Sequence, residues 1–96
     1  MTKQDALRAL EEYRLKIDEL DLRILELLNE RTRVVERIGE VKRKVGFPIY
    51  EPKREDQVYA NVTGNNGGPL AAEAVKRVFE RIIDEMREVQ KLRMQK

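Results

Sequence analysis

An apolar residue recurs every seven positions between residues 10 and 45, and this repeat constrains the fold more than any other feature of the chain. Leu10, Ile17, Ile24, Ile38 and Val45 form one set, with Arg31 standing where an aliphatic residue would continue it. Tyr13, Leu20, Leu27, Val34 and Val41 form a second set, three positions on. Two such sets held over five repeats make a heptad seam along one helix. Thr2-x-x-Asp5 resembles a capping box at its start, and no proline interrupts it before Pro48. Gly46 and Pro48 punctuate its end, and Gly39 is its single internal glycine. The pattern predicts a helix over about residues 4–45.

Length turns this helix into a statement about assembly. A helix of about 40 residues is roughly 60 Å long, whereas a compact domain of about 100 residues has a radius of gyration near 13 Å. The first helix would therefore outrun its own globule with its seam uncovered. Length and pattern together predict an intertwined helical homodimer.

Two shorter helices follow. Pro52 suits a first helical position, and the second helix is expected over about 52–62, ending at Thr63-Gly64-Asn65-Asn66-Gly67-Gly68. The third is expected to open at Pro69 and run to about 93. Its stripe is Val75, Val78, Phe79, Ile82, Ile83, Met86 and Val89, at helical spacing. No strand pattern competes. A chain of 96 residues suits one domain, so residues 1–96 read as a single all-α domain of three helices with a very long first one.

Composition narrows the chemistry. The chain has no Cys, His or Ser, which excludes disulfides, thiol and serine nucleophiles and histidine bases, and argues against zinc and other metals. The 20 Lys+Arg and 18 Asp+Glu are interleaved and leave a formal charge of only +2, which favours solvated helix faces over a nucleic-acid surface. No apolar run approaches the roughly 20 residues of a membrane span, and Met1 is followed by polar residues rather than a signal peptide. A cytoplasmic location is the expectation.

A few polar residues break the apolar pattern. Arg31 sits in the seam, and Lys42 follows eleven residues later, about 16 Å along on nearly the same face. Arg14 flanks the seam, and Gln90 places an amide on the apolar stripe of the third helix. Taken singly, a seam arginine snorkels its head to water or fixes register, and Lys42 is an edge residue of the same kind. Gln90 near a chain end is open to fraying. Together, cations and an amide converging on an apolar interior describe a site for a small anion with several carboxylates, because charges buried without partners are costly. Arg54 and Glu55 fall in the first turn of the second helix, where Glu suits the macrodipole, and spacing alone assigns them nothing more.

The whole length resembles the all-helical chorismate mutases, and most closely the mutase domain found at the N-terminus of some DAHP synthases. The resemblance rests on Leu10-x-x-x-Arg14-x-x-Ile17-x-x-Leu20-Asp21, on Leu27-Leu28-Asn29-Glu30-Arg31 and on Ile38-Gly39-Glu40-Val41-Lys42. It continues through Pro48-Ile49-Tyr50-Glu51-Pro52-x-Arg54-Glu55 and Phe79-x-x-Ile82-Ile83, with Gln90 downstream. It implies an isomerase of the shikimate pathway that rearranges chorismate to prephenate on the way to Phe and Tyr, with no cofactor. Arg14 from one subunit and Arg31 from the other would hold the substrate carboxylates, with Arg54 in support. Lys42 and Gln90 would hydrogen-bond the ether oxygen, and Glu55, with Glu51 nearby, would engage the hydroxyl. Two departures stand out: many relatives carry Asp in place of Glu51, and some carry a small or hydroxyl side chain in place of Met86, which bears on a carboxylate contact.

The resemblance also admits a DAHP synthase, fused or associated, as a partner. On that second reading the chain is a chorismate- or prephenate-sensing regulatory domain with weak catalysis, and the stretch Gln90–Lys96 is a tail or a severed linker. A helical interaction module would account for the seam but not for Arg31, Lys42 and Gln90. A pyruvate-eliminating lyase acting on isochorismate is a further option on the same scaffold.

Overall fold

The computed structural model describes residues 1–94 and contains, among them, three α-helices and no strand: α1 Lys3–Val45, α2 Pro52–Gly64 and α3 Ala72–Met94. Positions 95 and 96, the end of the stretch read above as tail or linker, lie outside the described residues.

Local chemistry sets the ends of α1. Thr2 and Asp5 form the reciprocal box that the sequence predicts: the Asp5 amide donates to Thr2 Oγ1 at 3.1 Å and the Thr2 amide to Asp5 Oδ2 at 3.2 Å. At the other end Gly46 adopts φ 70° and the Phe47 amide donates back to the Lys42 carbonyl at 3.0 Å. This is the left-handed closure that glycine allows without a Cβ penalty.

α2 begins with Pro52 in its first turn, as expected, but runs two residues past the expected end, to Gly64. Side chains extend it: Thr63 Oγ1 donates to the Tyr59 carbonyl at 2.7 Å, and Asn65 Nδ2 to the Asn61 carbonyl at 2.8 Å. α3 starts at Ala72 rather than at Pro69. Asn66 explains the delay, because its side chain accepts from the Gly68 amide at 3.0 Å and donates to the Leu70 carbonyl at 2.7 Å, holding the chain in a loop through Leu70.

The chain divides into two units, Met1–Arg31 and a second that begins at Thr32. The first is the N-terminal stretch of α1, and the apolar residues of its seam are exposed, with Leu10 at 46%, Ile17 at 55% and Ile24 at 54%. In the second unit, α2 packs on α3, and the remainder of α1 packs on α3 through Val35, Gly39 and Lys42, facing Ile83, Met86 and Gln90. The seam residues Val34, Ile38, Val41 and Val45 stay exposed. At about 100° per residue, the buried face and the seam lie roughly 100° apart around this stretch of helix.

Gly39 lies where α1 runs against α3. A Cβ there would lie 3.5 Å from Arg93 Cβ and 3.6 Å from Gln90 Cα, which is ordinary contact. Gly39→Ala is therefore expected to fit and to raise stability by up to about 1 kcal/mol through helix propensity. Gly39→Leu carries atoms beyond Cβ into Gln90 and Arg93 and is expected to destabilise by about 1–3 kcal/mol. Urea unfolding of both variants at one chain concentration checks the pair of signs.

Candidate active site

Lys42 is the centre of the best-built polar cluster. It lies one turn beyond Gly39 on the buried face of α1, and its side chain is 10% exposed. Its ammonium donates to Gln90 Oε1 at 3.0 Å and to the Ile49 carbonyl at 3.1 Å, and pairs with Glu51 Oε1 at 2.9 Å. An ammonium has three protons, so these partners satisfy it. They also make the burial tolerable, since a buried cation needs both a counter-charge and hydrogen bonds.

Each partner is delivered by a distinct element. Gln90 sits on the buried face of α3, seven residues after Ile83 and four after Met86. Ile49 belongs to the connection that leaves the Gly46 turn. Glu51 occupies the N-cap position of α2, yet its side chain caps nothing there. The carboxylate is directed to Lys42 instead, exchanging a cap for a charge contact. Because Gln90 Oε1 accepts from Lys42, the amide nitrogen is left as a donor, and it has no partner among the described residues.

A second cluster lies on α2 and α3. Arg87 grips Glu55 with two hydrogen bonds, Nε to Oε2 and Nη2 to Oε1, each 3.0 Å long. Asp84 meets Arg87 Nη2 at 3.1 Å, and the guanidinium carbon lies 5.5 Å from the centroid of the Tyr50 ring. The hydrogen bond to Glu55 holds the Arg87 guanidinium above its ordinary value. Partial burial, followed by the charges of Glu55, Glu80 and Asp84, raises the Tyr59 phenol.

The structure thus brings Lys42, Glu51 and Gln90 into direct contact. Met86 is buried one turn before Gln90 and accepts a hydrogen bond from Thr32 Oγ1 at 3.6 Å. Glu55 is occupied by Arg87. Arg54 is exposed and donates to Gln57 on its own helix at 3.4 Å. Arg14 and Arg31 belong to the first unit, Arg14 on an exposed helix face beside Glu11 and Asp18 and Arg31 partly buried.

Sequence reasoning missed Arg87, Thr32 and the Ile49 carbonyl. Arg87 follows Ile83 by four residues and so borders the apolar stripe, but with Asp84 three residues before it the pattern reads as an ordinary charged face. Among the described residues no group of acidic side chains could hold a metal ion, and no helix is long and apolar enough to cross a membrane.

Comparison with known proteins identifies the family of the chain. The family described as chorismate mutase type II matches residues 13–91. A bifunctional chorismate mutase/prephenate dehydratase from Aquifex aeolicus is 40% identical over 78 residues, covering 77% of this chain and 22% of that protein. The chain spans less than a quarter of the length of such curated relatives, which pair the mutase with a dehydratase rather than with the DAHP synthase to which the sequence resemblance pointed. Among solved structures, chorismate mutase (Form II) from Thermus thermophilus is 32% identical with a TM-score of 0.85, covering 86% of this chain and 94% of that one. The Helicobacter pylori chorismate mutase in complex with prephenate is 26% identical with a TM-score of 0.85, covering 93% of this chain and 97% of that one.

Proposed function

Since the chain belongs to the chorismate mutase type II family, we propose that it rearranges chorismate to prephenate, as an intertwined homodimer and without a cofactor. The observation that carries the proposal is the buried contact of Lys42 with Gln90, with Glu51 as counter-charge.

The reaction is an intramolecular [3,3] shift in which an ether C–O bond breaks while a C–C bond forms. It needs neither a nucleophile nor a proton carrier, which suits a chain without Cys, His or Ser. Two tasks are left for the protein. The first is to hold the enolpyruvyl arm over the ring in a near-attack geometry, a task for guanidinium–carboxylate clamps. We assign it to Arg14, contributed by the partner chain, and to Arg31, with Arg54 in support, on the strength of the sequence resemblance. The second task is to stabilise negative charge that grows on the ether oxygen. With substrate bound, the Lys42 proton that faces Glu51, the partner with a 44% exposed side chain, turns to the ether oxygen and the Gln90 amide nitrogen donates beside it. Only the part of these interactions that strengthens in the transition state accelerates the step. Glu55 and Glu51 take the hydroxyl. Met86, in place of a small or hydroxyl side chain, lines the pocket with sulfur and weakens one carboxylate contact.

The homodimer is supported by the exposed seam. Single-domain status for residues 1–96 and a cytoplasmic location remain parts of the same proposal. A DAHP synthase partner rests on the resemblance alone, and the dehydratase-linked relatives favour a prephenate-consuming partner over it.

Incubation with chorismate, following its loss and identifying the product, tests the reading. Prephenate formed far faster than in buffer is the expected result. Tight binding with little turnover would point to the sensing domain, and indifference to chorismate would remove both. Pyruvate release from isochorismate without prephenate formation would point to the lyase.

A further inference from the structure

Glu55 has little freedom. Its side chain is 16% exposed, and Arg87 occupies both of its oxygens. A two-pronged guanidinium–carboxylate pair fixes the plane of the carboxylate as well as its position. Arg87 is itself fixed by Asp84, one turn earlier on α3, and by the Tyr50 ring. Tyr50 adjoins Glu51, whose carboxylate reaches Lys42. One guanidinium thus secures the segment that carries Glu51 and Glu55 against α3, three residues before Gln90.

The fork does not exhaust the carboxylate. Each oxygen has two lone-pair directions and Arg87 uses one of each, so a hydroxyl can still donate to the other. Without Arg87, Glu55 would lose the cation it touches and would be free to rotate toward water.

Resting on the mutase reading above, we propose that Arg87 is a positioning residue, which aims the Glu55 carboxylate at the ring hydroxyl of chorismate and thereby sets how strongly that hydroxyl is recognised. The alternative is a plain helix-to-helix ion pair. The two differ in one respect. A structural pair affects every substrate alike, whereas a positioning pair acts through the hydroxyl alone.

The test compares chorismate with the methyl ether of its ring hydroxyl, by turnover or by competitive inhibition. The wild type, Arg87→Gln, Arg87→Lys and Glu55→Gln are measured side by side. The wild type is expected to prefer chorismate. In Arg87→Gln that preference should shrink by about tenfold, the scale of one hydrogen bond to a charged group, and mainly through KM. Arg87→Lys keeps the charge without the fork and should recover part of it. Adding Arg87→Gln to Glu55→Gln should change the preference little, because the route to the hydroxyl is already cut.

Equal losses on both compounds, with the preference intact, would overturn the proposal, as would no change at all. If Arg87→Gln does not fold, an unmoved preference in Arg87→Lys overturns it equally well. A wild type that does not convert chorismate removes the mutase reading and this inference with it. An active wild type whose preference ignores Arg87 removes the inference alone.

Discussion

Lys42→Ala is expected to lower kcat by about 100- to 1000-fold, the effect of deleting one preorganised donor to a developing oxyanion, while KM moves far less. In the proposed role the ammonium works on charge that appears only as the ether bond lengthens, so its loss should fall on the transition state rather than on substrate binding. The structure adds a second route to the same loss. Gln90 Oε1 is held by Lys42 at 3.0 Å, so truncation also frees the amide whose nitrogen is proposed as the other donor. Folding should survive, because the charge left behind, Glu51, has a side chain 44% exposed and can be hydrated. Steady-state kinetics decide the matter: a higher KM with kcat preserved would place Lys42 in ground-state binding.

Mixing two inactive variants is expected to restore activity. Arg14 and Arg31 lie on α1, and their separation of seventeen residues corresponds to about 25 Å along a helix, too far for both to grip one small dianion. If Arg14 comes from the partner chain, two-fold symmetry gives two equivalent shared sites. Arg14→Ala and Arg31→Ala chains refolded separately should be nearly inactive. Refolded together, half the dimers are mixed, and each mixed dimer has one site with both defects and one with neither. About a quarter of all sites should therefore recover on this symmetry argument. A mixture that gains nothing, with exchange confirmed by native mass spectrometry, would remove the shared site.

The parts of this fold that were legible in the sequence are the parts encoded locally. The seam, the Thr2–Asp5 box and the Gly46 closure each depend on residues within one or two turns, and each left a spacing signature. The start of α3 was misread because a proline is a generic opening signal, while the Asn66 side chain that holds the loop to Leu70 leaves no period. The buried face of α1 was missed for a different reason. It consists of Val35, Gly39 and Lys42, two of which are not apolar side chains, so a search for apolar periodicity passes over it. The resemblance aimed Lys42 and Gln90 at one substrate oxygen without foreseeing their direct contact, and spacing alone would not have paired residues 48 positions apart. Arg87 was hidden by its own surroundings, since acidic neighbours on a helix are the commonest context in which an arginine means nothing.

The second stretch of α1 carries two independent messages. Val35, Gly39 and Lys42 face α3, whereas Val34, Ile38, Val41 and Val45 look elsewhere. Changes in the second group can accumulate without disturbing the first. If a duplicated copy of this chain drifted at those four positions, it could come to prefer itself, its sibling or a new partner while inheriting the contact between Lys42 and Gln90 unaltered. Along this stretch the exposed seam and the contact of Lys42 with Gln90 lie on different sides of one helix, so a lineage can revise the first without erasing the second.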